Sequence, residues 1–284
     1  MSMSNYVGPH PFCKQNVFSA IYFVAAVYFN AVMQVYVSQA DDQQGPRLPD
    51  VGYELFANVS IGTSWPNYMV LAVAVSSVAR LLCDRYRSRT IRRWAFLQGT
   101  MFFLRGVCIA VTRLPNPDST CAAVIPKTDN VFIDAFKVID LQLVTCRDVL
   151  FSGHTTSMML SALLVHLHTV PDSTTKVGRR LSRAAQFVIW AEVIFGIFTI
   201  IASKFHYTID VVIAVTMSCL LSWFYFALVR LHEASRPLLE REKELLGNGP
   251  VFGTFIIWLE RINLDHRRQS VFSFWSESRI PSLP

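Results

Sequence analysis

The chain has 284 residues, of which 52% are apolar and only 16% are charged, whereas a soluble domain has roughly 25% charged residues. This composition excludes an ordinary soluble protein and predicts an integral membrane protein whose solvent is the bilayer. The formal net charge of +6 does not indicate nucleic-acid binding, because the basic residues lie mostly in short stretches between apolar segments.

Six apolar segments have close to the length that a helix needs to cross the hydrocarbon, about 20 residues. Backbone amides in lipid must be satisfied within the segment, so helices are expected, and no alternating pattern typical of a β-barrel occurs. We therefore predict an all-α fold, a six-helix transmembrane bundle. In chain order the predicted spans are residues 17–38, 65–83, 94–112, 149–170, 184–202 and 208–229.

The basic residues between the spans predict the orientation. Loop 84–93 carries five arginines and loop 171–183 carries four basic residues, whereas loops 39–64 and 203–207 carry one each. Loop 113–148 has four, but they are outnumbered by five aspartates. The positive-inside rule thus predicts that both termini and loops 84–93 and 171–183 are cytosolic. The other three loops are predicted to be exoplasmic.

These predictions divide the chain into a cytosolic N-terminus of residues 1–16, a six-span membrane domain of residues 17–229 and a cytosolic tail of residues 230–284. In the tail, residues 236–246 are predicted to form a short polar helix that Pro237 opens. The six cysteines show neither CxxC nor Cys/His ligand spacing. We therefore expect no metal site and no cofactor.

Two polar clusters lie at the starts of predicted spans on the same exoplasmic face. Residues 146–155 lead into the fourth span, and residues 203–210 lead into the sixth. Ionisable groups within a span are costly and normally face the bundle interior, where they serve function. We expect the two clusters to meet although they lie far apart in sequence.

Within the second cluster, His206 and Asp210 are spaced i and i+4 and so share one helical face. The carboxylate can then accept from one ring nitrogen and leave the other directed at a substrate. A histidine oriented in this way can attack phosphorus, while His154 of the first cluster serves as general acid and then as base. Each motif alone also fits a structural polar residue at the interface, but their combination predicts the catalytic set His154, His206 and Asp210.

At these clusters the chain also resembles a known family. Cys-Arg-Asp-x-x-x-Ser-Gly-His-Thr, from Cys146, and His-Tyr-Thr-x-Asp-Val-Val-x-Ala, from His206, are similar to two signature motifs of the sphingomyelin synthases. That family includes the inositol- and ethanolamine-phosphorylceramide synthases. The triplet from Leu48 to Asp50 and the basic residues between Arg92 and Pro115 resemble two further family motifs, so the resemblance covers about residues 47 to 230.

The resemblance implies transfer of phosphocholine, phosphoethanolamine or phosphoinositol from a glycerophospholipid to ceramide, releasing diacylglycerol through a phosphohistidine intermediate. It implies that His206 is the nucleophile, Asp210 its orienting partner and His154 the acid/base. The partners are then membrane lipids, the expected compartment is the Golgi, with plasma membrane or endoplasmic reticulum as alternatives, and a homo-oligomer is left open. One departure is Arg147, where the family commonly has Gly.

Three further residues are predicted to bind substrate. Arg105 lies at a costly depth within the third span, and either its planar fork is directed at a lipid phosphate or it forms an ion pair with Glu192. Asp148 contacts a headgroup or caps a helix, and Ser152 donates to a phosphate oxygen or is the N-cap of the fourth span. For Arg105 the resemblance to the family favours the lipid phosphate, whereas the residues do not decide between the two roles of Asp148 or of Ser152.

Two other functions are considered. A lipid phosphate phosphatase would use the same histidines with water as acceptor, but its Lys-x6-Arg-Pro motif is missing, since Val229 stands where the lysine before Arg236 and Pro237 would be. A six-span transporter would use the histidines as a proton relay and would form no product lipid.

Overall fold

The computed structural model describes residues 14–39, 46–84, 87–112, 114–117, 130–140, 142–143, 145, 150–168, 176–246, 255 and 258–259. Over these residues the chain forms eight helices with described bounds and no β-strand, and residues 255, 258 and 259 are also helical. In chain order the eight helices are α1 (Lys14–Gln39), α2 (Val51–Leu55), α3 (Trp65–Leu82), α4 (Arg87–Val111), α5 (Val131–Ile139), α6 (Gly153–His168), α7 (Lys176–Ala202) and α8 (Thr208–Leu246).

Five helices in the described part of the chain are long and apolar enough to cross a membrane: α1, α3, α4, and the segments Val177–Ala202 of α7 and Thr208–Arg230 of α8. Large apolar side chains on their outer faces, such as Leu71 on α3 and Ile194 on α7, are exposed, as lipid contact requires. An integral membrane protein of the all-α class is thereby confirmed. Helix α6 is described over 16 residues, so the sixth crossing and the cytosolic termini stay predictions.

The helix ends differ from the predicted spans. Helix α4 begins at Arg87 and α7 at Lys176, well before the apolar segments that start at residues 94 and 184. Residues 236–246 are not a separate helix, because α8 continues through Pro237 to Leu246. A proline inside a helix removes one backbone hydrogen bond and can kink the helix without ending it, so Pro237 does not have to open a new one. The chain divides into two units, residues 1–226 and 227–284, with the boundary inside α8.

Helix α6 is central in the first unit, because it packs against α3, α4 and α7. Its inward side chains join those of α3, α7 and α8 in one apolar core. The buried members are Met69, Val73, Met158, Met159, Ala162, Val165, Ile189, Val193, Ile200 and Val211. This packing fixes the first turn of α6, which carries His154.

Helices α1 and α4 form the most extensive helix pair. Two glycines on one face of α4 allow the close approach: a Cβ at Gly99 would lie 3.2 Å from the Cα of Phe23, and one at Gly106 would lie 3.3 Å from the Cα of Asn30. Larger side chains would force the helices apart. The close approach brings Asn30 within reach of Arg105.

Two short helices lie between the long ones and were not predicted from the sequence. Helix α2 has Asp50 as its N-cap, and α5 has Asn130, each accepting two backbone amides at the helix start. Helix α5 packs against α1, and α2 contacts α7. Asp50, the cap of α2, also contacts the start of α8.

Candidate active site

The two polar clusters meet where α6 and α8 begin. The Ser152 amide donates to the Asp210 carbonyl oxygen at 3.3 Å, which joins the starts of the two helices directly. His154 lies in the first turn of α6 and His206 lies just before α8. Their ring centroids are 6.1 Å apart. The structure therefore brings together the two histidines that the sequence predicts to act on one substrate.

Ser152 is the N-cap of α6. Its hydroxyl oxygen accepts from the Thr155 amide at 3.2 Å and from the Thr155 hydroxyl at 3.0 Å, and the residue is fully buried. The first of these bonds gives an acceptor to the Thr155 amide, which would otherwise have none because it lies in the first turn of the helix. Of the two roles considered for Ser152, the cap is the one observed, and its contact with substrate stays a prediction.

The start of α8 is held by Asp210, which lies in the first turn. Its Oδ2 accepts from the Tyr207 amide at 3.1 Å, the arrangement of a capping box. The same oxygen lies 3.8 Å from His206 Nδ1, beyond the range of about 2.7–3.2 Å for a hydrogen bond. Asp210 and His206 are both buried, so the carboxylate acts on the ring by charge in a site of low polarity.

Asp50 links the same helix start to α2. Its carboxylate accepts from the Thr208 amide at 2.8 Å and hydroxyl at 2.6 Å, and from the amides of Gly52 and Tyr53 at 2.9 and 3.2 Å. Gly52 is required for this approach, because a Cβ there would collide with the Thr208 hydroxyl. One carboxylate thus caps two helices, and an anion at both N-termini is electrostatically favourable.

Two stacked tyrosines complete this side of the site. The Tyr207 hydroxyl donates to the Pro115 carbonyl at 3.1 Å and accepts from the Leu48 amide at 3.3 Å. Its ring lies 5.8 Å from that of Tyr53. Burial raises the pKa of Tyr207 above its usual value, so the phenol stays neutral and keeps donating at physiological pH.

Arg105 supports the chain just before His154. It is 4% exposed, its Nε donates to the Phe151 carbonyl at 2.7 Å, and its Nη1 donates to Asn30 Oδ1 at 3.1 Å. Glu192, considered as an ion-pair partner, instead accepts from the Ser76 hydroxyl on α3 at 2.8 Å. The Arg105 guanidinium thus fixes the turn that leads into α6. A contact between this guanidinium and a lipid phosphate stays a prediction.

Two contacts of His154 were not found from the sequence. Its Nε2 lies 2.7 Å from Oδ1 of Asn67 on α3, and the edge of the Phe205 ring packs against it with centroids 4.9 Å apart. Phe205 also contacts His206. An amide at the start of an apolar span was the available signal for Asn67, whereas Phe205 resembles any other apolar residue.

The remaining predicted residue, Asp148, lies outside the described residues, as does Arg147. In the part of the chain that is described, no group of three or more His, Cys, Asp or Glu side chains lies together in a way that could hold a metal ion.

Comparisons with known proteins agree with the site. Residues 145–227 match the PAP2 superfamily C-terminal model. The chain is 28% identical over 212 residues to a putative phosphatidylcholine:ceramide cholinephosphotransferase 3 of Caenorhabditis elegans, covering 70% of this chain and 58% of that protein. It is 27% identical over 235 residues to the human sphingomyelin synthase-related protein 1, covering 78% and 54%.

A third relative is the phosphatidylethanolamine:ceramide ethanolaminephosphotransferase of Trypanosoma brucei brucei, 23% identical over 246 residues, covering 71% of this chain and 73% of that protein. These matches support the resemblance of the chain to the sphingolipid synthase family. The chain spans little more than half the length of the first two relatives, 58% and 54%. The segment that matches the PAP2 superfamily C-terminal model contains Ser152, His154, His206 and Asp210, the residues that meet at the helix starts.

Proposed function

We propose that the protein transfers a phospho-headgroup from a glycerophospholipid to the primary hydroxyl of ceramide and releases diacylglycerol. The observation that carries this proposal is the pair of facing histidines, His154 and His206, with centroids 6.1 Å apart and the Asp210 carboxylate beside His206. The names of the relatives, ceramide cholinephosphotransferase and ceramide ethanolaminephosphotransferase, support the class of substrates.

In the first half of the proposed reaction, His206 is the nucleophile. Its Nδ1 faces Asp210, so the Nε2 lone pair attacks the donor phosphorus and forms a P–N bond. The P–O bond to diacylglycerol breaks, the electron pair leaves with the oxygen, and His154 gives that oxygen a proton. The Asp210 carboxylate stabilises the positive charge that develops on the His206 ring. The 3.8 Å separation has to shorten for a hydrogen bond, as catalytic contacts often do when substrate binds.

In the second half, the ceramide hydroxyl attacks the phosphorus of the phosphohistidine. The hydroxyl proton passes to His154, which lost its own proton in the first half and now acts as base. The P–N bond breaks and its electron pair returns to His206 Nε2. Both histidines are thereby restored, and the headgroup has moved from one lipid oxygen to another without net consumption of water.

The surroundings of the histidines favour a lipid acceptor over water. His206 is 4% exposed, and the Phe205 ring packs against both imidazoles. Attack requires an acceptor held within reach of the base, and an apolar site positions a lipid hydroxyl better than mobile water. The phosphohistidine is therefore expected to persist until ceramide arrives.

The test is diacylglycerol release by the purified protein from single phospholipids, with and without fluorescent ceramide. Release that depends on ceramide, together with a fluorescent phosphorylated product, supports the proposal, and the product identifies the donor as a choline, ethanolamine or inositol lipid. Equally fast release without ceramide would instead indicate a phospholipase C or phosphatase. Replacement His206→Ala should abolish transfer in a folded protein, and retained turnover would remove the nucleophile assignment.

We propose that the site faces the exoplasmic side of the Golgi membrane. The nine basic residues of loops 84–93 and 171–183, against two in loops 39–64 and 203–207, support this orientation. An epitope at the C-terminus should bind antibody after selective permeabilisation of the plasma membrane of cells, with the organelle membranes left sealed. Protection of that epitope under these conditions would overturn the orientation, and microscopy against Golgi markers tests the compartment.

A further inference from the structure

Asn67 makes the shortest polar contact of His154 among the described residues. It lies in the first turn of α3, directly after Pro66, and its Oδ1 is 2.7 Å from His154 Nε2. Helix α3 packs against α6, so the contact joins the starts of two packed helices. Asn67 belongs to none of the sequence motifs that indicate catalysis.

The chemistry of the pair determines which ring nitrogen can exchange protons. A carboxamide oxygen is only an acceptor, so His154 Nε2 carries hydrogen while it bonds Asn67 Oδ1. In a neutral imidazole the lone pair is then on Nδ1. An asparagine that fixes one tautomer of a catalytic histidine also occurs in Cys-His-Asn proteases, so this arrangement is compatible with acid/base catalysis.

Asn67 also adds no charge to a site that already contains the Arg105 guanidinium. Arg105 approaches His154 from α4, where its Nε would be 3.4 Å from a Cβ at Gly153, and His206 approaches from the start of α8. The positively charged guanidinium repels a positive charge on the His154 ring. A carboxylate at residue 67 would favour the protonated ring and hinder its return to the base form, whereas an amide orients either form.

We infer that Asn67 is a positioning residue that holds His154 through Nε2, so that the proton moves to and from the lipid oxygens at Nδ1. This inference rests on the proposed function. The imidazolium gives its Nδ1 proton to the diacylglycerol oxygen, stays bonded to Asn67 through Nε2–H, and takes the ceramide proton back at Nδ1.

The first test compares Asn67→Ala, Asn67→Asp and Ser64→Ala. Ser64 precedes the same helix, is exposed and makes no capping bond with its side chain, which makes it a matched control. We expect Asn67→Ala to lower kcat by about ten- to a hundred-fold, by analogy with the loss of a partner that orients a metal-binding histidine. KM for both lipids and the Tm should stay near those of the parent protein.

Asn67→Asp keeps an acceptor oxygen but adds a charge. It should retain more activity than Asn67→Ala and shift the alkaline limb of the pH–rate profile to higher pH by about one unit. A role limited to packing would leave that profile unchanged. Parental kcat in Asn67→Ala, or an unshifted profile in Asn67→Asp, would overturn the inference.

A second measurement separates this inference from the proposed function. Diethyl pyrocarbonate modifies unprotonated imidazole, so mass spectrometry of His154 modification against pH reports its protonation without any lipid substrate. Asn67→Asp should shift that curve to higher pH, and Ser64→Ala should not. A shifted curve in a protein that forms no ceramide product would reject the proposed function but support the contact between Asn67 and His154. An unshifted curve in an active transferase would reject the Asn67 inference alone.

Discussion

Thr208 is tied to Asp50 by two hydrogen bonds, one from its hydroxyl at 2.6 Å and one from its amide at 2.8 Å. The same carboxylate is the N-cap of α2. A side chain between α1 and α3 thus fixes the start of α8, which begins two residues after His206 and holds Asp210 in its first turn. The position of the proposed nucleophile therefore depends on a loop that contains neither histidine.

Replacement Asp50→Ala is expected to reduce stability and activity together. Losing a cap costs about 0.5–2 kcal/mol for each helix, and here two helix starts lose theirs. We expect a loss of about 2 kcal/mol in the free energy of unfolding and at least a tenfold drop in transfer. Thermal unfolding in detergent and ceramide-dependent diacylglycerol release are the measurements.

Two variants control this prediction. Glu54→Ala removes an exposed carboxylate from α2 and should leave both quantities nearly unchanged. Thr208→Val should cost less than Asp50→Ala, and its effect should largely disappear when Asp50 is already alanine, because both changes break the same bond. Fully additive effects would contradict a direct link between the two residues.

The stacked tyrosines give a matched pair of variants. Tyr207→Phe removes a hydroxyl that bonds the Pro115 carbonyl and the Leu48 amide, so we expect a loss of about 1–3 kcal/mol. Tyr53→Phe removes a buried hydroxyl that bonds no described residue, so it should be neutral or slightly stabilising. Thermal unfolding of both variants tests this order, and a larger loss for Tyr53→Phe would contradict it.

The same residues predict the behaviour at alkaline pH. Burial raises the pKa of Tyr207 and Tyr53 above the ordinary value, which is about 10. The folded state therefore retains these protons where the unfolded chain releases them. Stability should be constant with respect to these groups below about pH 10 and fall as the pH rises through and above it. The Tm measured from pH 8 to 11 should fall less steeply in Tyr207→Phe, and an identical slope would contradict the assignment.

The sequence predicted the apolar centres of the long helices because lipid requires about 20 apolar residues in each. It did not predict that α4 begins at Arg87, since arginines outside the hydrocarbon extend a helix without any hydropathy signal. Helices α2 and α5 are too short for a periodic pattern and depend on caps and packing. Their presence needed the three-dimensional structure.

For the site, the sequence predicted that His206 and Asp210 share one helical face, and this was wrong, because His206 lies before α8, which begins at Thr208. The separation of 3.8 Å could not be predicted, because the Asp210 carboxylate is drawn to the Tyr207 amide. The contact of Asn67 with His154 depends on how α3 packs against α6. Such contacts between distant segments leave no local pattern in a single sequence.

Arg105 gives the last prediction, because it is buried and bonds the carbonyl of Phe151 just before α6. Arg105→Ala leaves that carbonyl without its donor and frees the turn that carries His154. We expect at least a hundred-fold loss of transfer and a lower Tm, since breaking a buried hydrogen bond to a charged group costs about 1.5–3 kcal/mol.

Two comparisons separate bracing of the turn from phosphate binding by Arg105. Asn30→Ala removes only the partner of Nη1 and should cost less than Arg105→Ala. Arg105→Lys keeps the charge but not the planar fork, so it should fail to restore activity if the fork has to hold the turn. Near-parental kcat with a raised KM for the phospholipid in Arg105→Lys would show instead that the charge itself binds the donor phosphate. Arg113→Ala, at a residue outside the described part of the chain, should reduce transfer less than Arg105→Ala, and the reverse order would contradict the importance of the buried arginine.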